Sequence, residues 1–561
     1  MTSTLYPPLH DVAPLRVGVM LDGYVVTAWV AHVLRTIEAE GSGRVELVVL
    51  NAEKHGRLPL LQRIRNRLRT FLYDRYYAFD ATYWASPESP FNACDLNATF
   101  KDRPALKVTP TRKRFVHRFL RKDVAAIKAA KLDVLLRFGF NIIRGDVLDT
   151  ARYGVWSYHH DDSDDYRGGP SLFWEIYEGA SVSGTVLQSL SDVLDGGDVI
   201  ARSHSATNQV SLALNRGETY WKTANFVPRC MRRLAQNGID ALPREKPKPY
   251  TKHIYRTPGN FHMAVFLARI FVRRARNALR NRRFDEHWLL GYRYGDTLLE
   301  PDSPSLANVI PLEPPRGHFW ADPAVISRHG HDHVFFEDYS YATGKGTIGH
   351  VELTPDGVAS DAVTVLELDV HLSYPHMFEW RGDTYMLPET AQARKLTLFR
   401  AVEFPHRWEP ACDLLEGWRI VDATLHEHEG RWYLFTNIAE GACSTLDELF
   451  LFHAESPLGP WLPHPLNPIV SDVRRARPAG PLFLHDGRLI RPAQDCAIRY
   501  GRAVQFHEII ELSPVRYRER PLGVLEPDWQ SDLIGCHTYV RSGRLEIVDG
   551  KRYARRNRVR D

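Results

Sequence analysis

Cysteine is scarce in this chain. Six residues among 561, Cys94, Cys230, Cys412, Cys443, Cys496 and Cys536, lie far apart with no Cys-x-x-Cys pair. That spacing argues against a disulfide framework and a zinc knuckle, and it leads us to expect a reducing, cytoplasmic setting. Long apolar runs are missing as well. No stretch reaches 18 consecutive apolar residues, so no transmembrane helix is expected. Met1 to Pro14 has no basic segment leading into an apolar one, so no secretory leader is expected. Nor is charge of one sign in excess. Lys and Arg number 72 against 68 Asp and Glu, a formal net charge of +4, which gives no ground for a nucleic-acid partner. What is present is an ordinary globular balance, 44% apolar and 25% charged, in a chain too long for one core.

Three regions follow, residues 12–240, 241–300 and 301–550. The first opens with the apolar run Leu15 to Leu21, an apolar-rich helical stretch from Val26 to Ala39, and a second apolar run, Val45 to Leu50. Strand, helix, strand predicts a parallel sheet with helices on its faces. The unit recurs at Asp123 to Ala130 and Leu132 to Phe138, and Arg57 to Lys122 between them reads as an Arg-, Tyr- and Phe-rich insertion, either a pocket-shaping element or a plain helical elaboration. The second region carries a basic amphipathic segment, Phe261 to Arg283, with seven arginines. Such a segment either links domains with a solvated basic face or lies on an anionic membrane surface.

The third region repeats. Gly330, Gly382, Gly430, Gly487 and Gly543 each sit at a turn between two apolar-rich strands, with gaps of 52, 48, 57 and 56 residues. A period near 50 residues of paired strands predicts a five-bladed β-propeller. Aligning on the glycines, the positions eight residues earlier are Asp322, Tyr374, Asp422, Ala479 and Gly535. Those seven residues later are Glu337, Glu389, Asn437, Gln494 and Gly550. Nearly equidistant from their turns, they are expected to lie side by side around one mouth of the channel. Asp322, Glu337, Glu389 and Asp422 are then candidate funnel residues for a hydroxyl-rich ligand, or an acid and base for glycoside cleavage. Ala321-Asp322-Pro323 resembles the first-blade segment of the five-bladed inverting arabinan- and xylan-cleaving glycosidases, which implies a general base at Asp322. The region is also similar to the propeller attached to plant sphingolipid glucosaminyltransferases. Polar residues that merely tile a wet channel are the alternative.

The stretch from Gly154 to Ile200 contains Ser157-Tyr-His159, Tyr166-Arg-Gly168, Pro170, Trp174, Gly184-Thr185 and Leu194-Asp195-x-Gly197. In order and spacing these resemble the methionyl-tRNA, glycinamide-ribonucleotide and sugar N-formyltransferase family. The resemblance implies a Rossmann-like α/β domain that moves a formyl group from 10-formyltetrahydrofolate to an amine, with an amino-sugar or sugar nucleotide suggested by the carbohydrate-type propeller. His159 suits proton transfer and oxyanion stabilisation near neutral pH, Asp195 would orient it, and Ser157 shares its strand face. By the same resemblance Phe138, Gly139, Phe140 and Asp198 would contact the cofactor, and Tyr166, Arg167 and Gly168 the substrate. Ser157 replaces the family's asparagine. Either a water or a neighbour, His160 or Asn141, supplies the missing donor, or the domain is weakly active or an inactive scaffold attached to a glycan-binding or glycoside-processing propeller. Transfer of another one-carbon or carbamoyl-like group is a third reading. His160-Asp-Asp-Ser-Asp-Asp165 has no recognisable coordination spacing, so a solvated acidic loop and no metal are expected.

Overall fold

The computed structural model describes residues 3–9, 12–53, 59–113, 115–193 and 196–556. Its contacts fall into two compact units, Pro8–Arg274 with Gly441–Cys443, and Met1–Pro7 with Ala275–Glu440 and Ser444–Asp561.

In the α/β unit, β1 (Leu15–Leu21), β2 (Gly43–Asn51), β3 (Ala105–Val108), β4 (Val134–Arg137), β5 (Val155–His159), β6 (Val182–Ser189) and β7 (Asp198–Ala206) form one sheet. Their order is β7-β6-β5-β4-β1-β2-β3. The first five strands run parallel; β6 is antiparallel to β5, and β7 is antiparallel to β6. Side chains alternate between two cores, as strand geometry requires. Val17, Val19, Leu21, Val134 and Leu136 enter one; Met20, Leu47, Val49 and Leu135 enter the other. Burial on both faces is why these strands read as unbroken apolar runs.

Among the described residues, seven helices of eight or more residues accompany the sheet: α1 (Ala28–Ala39), α2 (Leu60–Arg69), α3 (Phe71–Tyr83), α4 (Arg121–Ala129), α5 (Leu212–Ala224), α6 (Phe226–Asn237) and α7 (Asn260–Arg283). The Arg-, Tyr- and Phe-rich insertion supplies α2 and α3. Together α3 and α5 border a cleft of about 260 Å³ lined by Trp84, Phe91, Arg216 and Trp221. In the basic helix α7, Met263, Phe266 and Ile270 join the larger core. Its Arg269, Arg273 and Arg274 donate to the carbonyls of Tyr177, Ile176 and Val210.

The other unit is β-rich, a propeller-type array of antiparallel sheets. Among the described residues there are five, each of four or five strands. Four follow one another along the chain, their leading strands being His318–Arg328, Ser373–Trp380, Arg419–His428 and Arg477–Pro478. The remaining sheet joins the two ends of the unit. Phe284–Tyr294 pairs with Leu545–Arg555 over eleven residues, from Phe284↔Arg555 to Tyr294↔Leu545. Stitching first strand to last covers edges that would otherwise be free. All five repeat glycines have positive φ, between 56° and 87°, each at a two-residue turn between paired strands. Only glycine adopts that conformation without strain.

Gly480 carries a heavier constraint. Its φ is +126°, and a Cβ there would sit 2.2 Å from the carbonyl oxygen of Tyr539. Its amide donates to the Tyr374 hydroxyl at 2.8 Å. We expect Gly480→Ala to destabilise the chain by about 3 kcal/mol, read from the midpoint of urea unfolding; an unchanged midpoint would contradict this packing.

Candidate functional site

The leading strands of three successive sheets are interrupted at one equivalent place. Pairing with the next strand breaks between Ala321 and Ala324, Ser373 and His376, and Val421 and Thr424. Inside each break sits a non-glycine residue with positive φ: Asp322 (52°), Tyr374 (43°) and Asp422 (50°). Bulges of this kind turn a side chain away from its pleat, and such strain gathers at functional sites. The residues just before the breaks pair with the second set of aligned positions, Ala321↔Glu337, Ser373↔Glu389 and Val421↔Asn437.

The result is a buried cluster. Asp322 accepts from the Thr538 hydroxyl at 3.0 Å and lies 3.6 Å from His537 Nε2. The His537 ring, stacked on Trp288 with centroids 4.0 Å apart, is held through Nδ1 by Asp549. The Asp549 carboxylate also accepts the amides of His537 and Thr538, at 2.7 and 3.0 Å. Asp422 takes the Arg477 guanidinium through both oxygens and the Gln494 amide at 2.7 Å. Arg477 reaches Glu389 at 3.8 Å and lies over the Tyr500 ring. Glu337 faces His371 Nε2 at 3.4 Å. The structure thus brings Asp322, Glu337, Glu389 and Asp422 together. It adds Arg477, His537 and Asp549, which the sequence reading did not single out.

Five carboxyl groups against one guanidinium and two imidazoles leave the cluster short of positive charge. Burial, with Asp422 and Asp549 nearby, pushes Asp322 up to about 6. Glu337 and Glu389 rise well above the carboxylate range, again through burial first and neighbouring acids second. His537 is raised despite its burial, because Asp549 and Asp322 favour its charged form. A buried carboxyl raised to about 6, with raised acids beside it, suits general acid and base work. Asp322, His537 and Asp549 also bring three potential ligand atoms within 4.8 Å of one another.

The described residues among those anticipated in the α/β unit have partners of their own. The Ser157 hydroxyl is taken by Arg137, which donates from Nε at 3.0 Å and Nη2 at 2.8 Å. His159 donates from Nδ1 to the Asp161 carbonyl at 2.8 Å. Asp195 lies outside the described residues. Phe138 stacks on Tyr158. Gly139 and Phe140 close a turn against Asp22, whose carboxylate accepts the Phe140 amide at 3.0 Å. Asp198 pairs with Lys246 at 2.6 Å and Arg244 at 3.5 Å. The Tyr166 hydroxyl donates to Glu178 at 3.0 Å, Arg167 covers the Tyr250 ring, and Gly168 bridges to Tyr255. Of the two stand-ins for the missing donor, His160 stacks on Tyr220 at 3.6 Å and the Asn141 amide meets His117 at 3.3 Å. The acidic loop is not solvated, contrary to expectation. Asp161, Asp162 and Ser163 are buried, and Arg202 from β7 binds Asp162 and Asp164.

Asp161 and Glu175 form a second buried acid pair. Burial pushes Glu175 up to about 7, with Glu178 and Asp165 adding to the rise. A raised carboxyl pKa means that the stabilisation is complete at low pH and disappears as pH rises through the folded value. The chain is therefore expected to lose about 3 kcal/mol between pH 4 and pH 8 through this group. Glu175→Gln should flatten that part of the stability–pH curve; an identical slope in the variant would rule the assignment out.

Comparison with known proteins bears on the β-rich unit. The family model described as glucosamine inositolphosphorylceramide transferase 1, N-terminal, matches residues 311–531. The rice (japonica) protein named glucosamine inositolphosphorylceramide transferase 1 is 33% identical over 249 residues, 42% of this chain and 33% of that protein. The Arabidopsis thaliana protein of the same name is 35% identical over 206 residues, 36% and 27% of the two chains. Among solved structures, a thermostable family-43 glycoside hydrolase covers 37% of this chain and 76% of its own at 14% identity and a TM-score of 0.30. An exo-beta-1,3-galactanase from Clostridium thermocellum covers 41% and 59% at 13% identity and a TM-score of 0.31. Likenesses that slight have no bearing on what this chain does. None of these matches is a formyltransferase. The expected formyltransferase family, its formyl-transfer activity and its 10-formyltetrahydrofolate cofactor are therefore corrected, as is the alternative of a glycan-binding or glycoside-processing propeller beside an inactive formyltransferase domain. The curated relatives are transferases by name, and this chain spans about a third of their length.

Proposed function

We propose that this chain is a glycosyl-transfer enzyme acting between an activated glucosamine donor and an inositolphosphorylceramide-type sphingolipid, with its chemistry at the buried carboxyl cluster. One observation carries the reading. The stretch matched by the transferase family model, 311–531, encloses Asp322, Glu337, Glu389, Asp422 and Arg477, the residues that converge in the β-rich unit. We also read its five sheets as the five blades of one propeller, and the α/β sheet as a Rossmann-like arrangement.

The transfer needs a base for the acceptor hydroxyl and a group that accompanies the leaving group. Asp322, pushed up to about 6, takes the hydroxyl proton as the acceptor oxygen bonds to the sugar's anomeric carbon. The bond from that carbon to the leaving group breaks, and its electron pair departs with the leaving group. Glu389 and Glu337, held protonated by burial, are suited to donate to departing or ring oxygens. Arg477 fixes Asp422 and keeps one end of the cluster positive. His537 and Asp549 set the position of Asp322.

The reading is tested by calorimetric titration of the full chain with glucosaminyl-inositol phosphate, the polar part of the product. Binding that weakens at least tenfold in Glu389→Gln and Asp422→Asn supports it. No binding, or equal binding by the variants, removes it.

A further inference from the structure

Helix α2, Leu60–Arg69, buries none of its residues. Its sequence, Leu-Leu-Gln-Arg-Ile-Arg-Asn-Arg-Leu-Arg, is nonetheless sharply two-sided. At 3.6 residues per turn, Leu60, Leu61, Ile64 and Leu68 fall within an arc of roughly 100°, and Phe71, at the start of α3, continues it. All five are exposed, Leu61 to 81% and Leu60 to 68%. Arg65 and Arg67 border this arc on either side, Arg63 and Arg69 lie farther round, and no acidic residue occurs before Asp74.

A ten-residue helix is marginal in water without packing, and α2 has no side-chain hydrogen bond at its N-cap. Something must therefore cover its apolar arc. The patch continues onto α7. The Asn260 side chain donates to the Leu68 carbonyl at 2.8 Å and accepts the Leu72 amide at 3.1 Å. Next to it stands Phe261, 77% exposed.

We propose that α2, with Phe71 and Phe261, is an interfacial helix that docks this chain on an anionic bilayer surface. The charge pattern selects the occupant. An apolar arc of about 100° flanked by arginines, with no acid on the helix, matches a layer of hydrocarbon capped by phosphate: the leucines enter the acyl boundary and the guanidiniums reach outward to lipid phosphates. The inference rests on α2 and does not require the transfer reaction, although a sphingolipid acceptor would lie in the same surface.

The full chain is mixed with sedimentable vesicles of phosphatidylcholine alone and of phosphatidylcholine with phosphatidylserine, neither containing a sphingolipid. Binding to the anionic vesicles is expected, weakening with salt and falling about fivefold for each of Arg65→Gln and Arg67→Gln. Loss below detection is expected for Leu61→Asp/Ile64→Asp. These positions are exposed, so folding should survive, and circular dichroism of each variant checks that. Equal binding to both vesicle types, or none to either, overturns the proposal. So does a dimer in sedimentation equilibrium that the Leu61→Asp/Ile64→Asp variant abolishes, since the arc would then meet a second copy. Failure here leaves the headgroup titration untouched, so the two readings fall separately.

Discussion

If the proposed transfer reaction holds, replacing Asp322 by asparagine is expected to lower it by about 10²–10⁴-fold, the usual effect of deleting a general base. The same change should make the chain more stable above pH 6. Asp322 is buried, and its carboxyl is raised to about 6 by that burial and by Asp422 and Asp549. A raised pKa means that the folded state is favoured fully when the group is protonated and loses that advantage as pH rises through 6. Asparagine is neutral throughout and still accepts the Thr538 hydroxyl. At pH 8 the variant should therefore gain about 2–3 kcal/mol in denaturant unfolding, with no gain at pH 4. In the wild type, activity should climb with pH through the same region. A variant that lost activity and stability together would place Asp322 in the structural framework and not in the chemistry.

Arg477→Met is expected to act in the opposite sense. Arg477 is buried, binds Asp422 through both oxygens and reaches Glu389. Methionine fills much of its volume and leaves those carboxyls unpaired. Removing one partner of a buried ion pair typically costs about 3–5 kcal/mol. Adding Asp422→Asn to the same chain should recover a large part of that cost. Urea unfolding of the two single variants and the double closes the cycle. Simple additivity would mean that the two residues do not act as a pair.

Much of the β-rich unit was legible from sequence. Gly330, Gly382, Gly430 and Gly487 mark turns that require positive φ, and counting from them aligned Asp322 with Tyr374 and Asp422, the three bulged positions. The rest of the cluster escaped because it lies where the repeat is irregular. Arg477 sits on a two-residue strand. Asp549 lies one position off the aligned Gly550, in the sheet assembled from both ends of the unit, and His537 lies just before a short strand of that sheet.

In the α/β unit the alternating apolar residues of β1, β2 and β4 were readable. The family resemblance misled for a physical reason. Several of its matching glycines are demanded by backbone crowding here: a Cβ on Gly168 would lie 2.1 Å from the Tyr255 carbonyl, on Gly184 2.6 Å from Asp162 Cβ, and on Gly197 2.1 Å from the Ser189 carbonyl. Those requirements belong to a chain path, and they carry no chemistry with them. The acidic loop was misjudged because its partners, Arg202 and His204, lie about 40 residues away on β7.

The most direct test of the central claim is a product assay. The full chain is incubated with an activated glucosamine donor and inositolphosphorylceramide in detergent, and the lipid fraction is read by mass spectrometry. A lipid heavier by one glucosaminyl residue is expected, absent with Asp322→Asn and Glu389→Gln. No such lipid from folded wild-type protein, or the same yield from both variants, would contradict the claim.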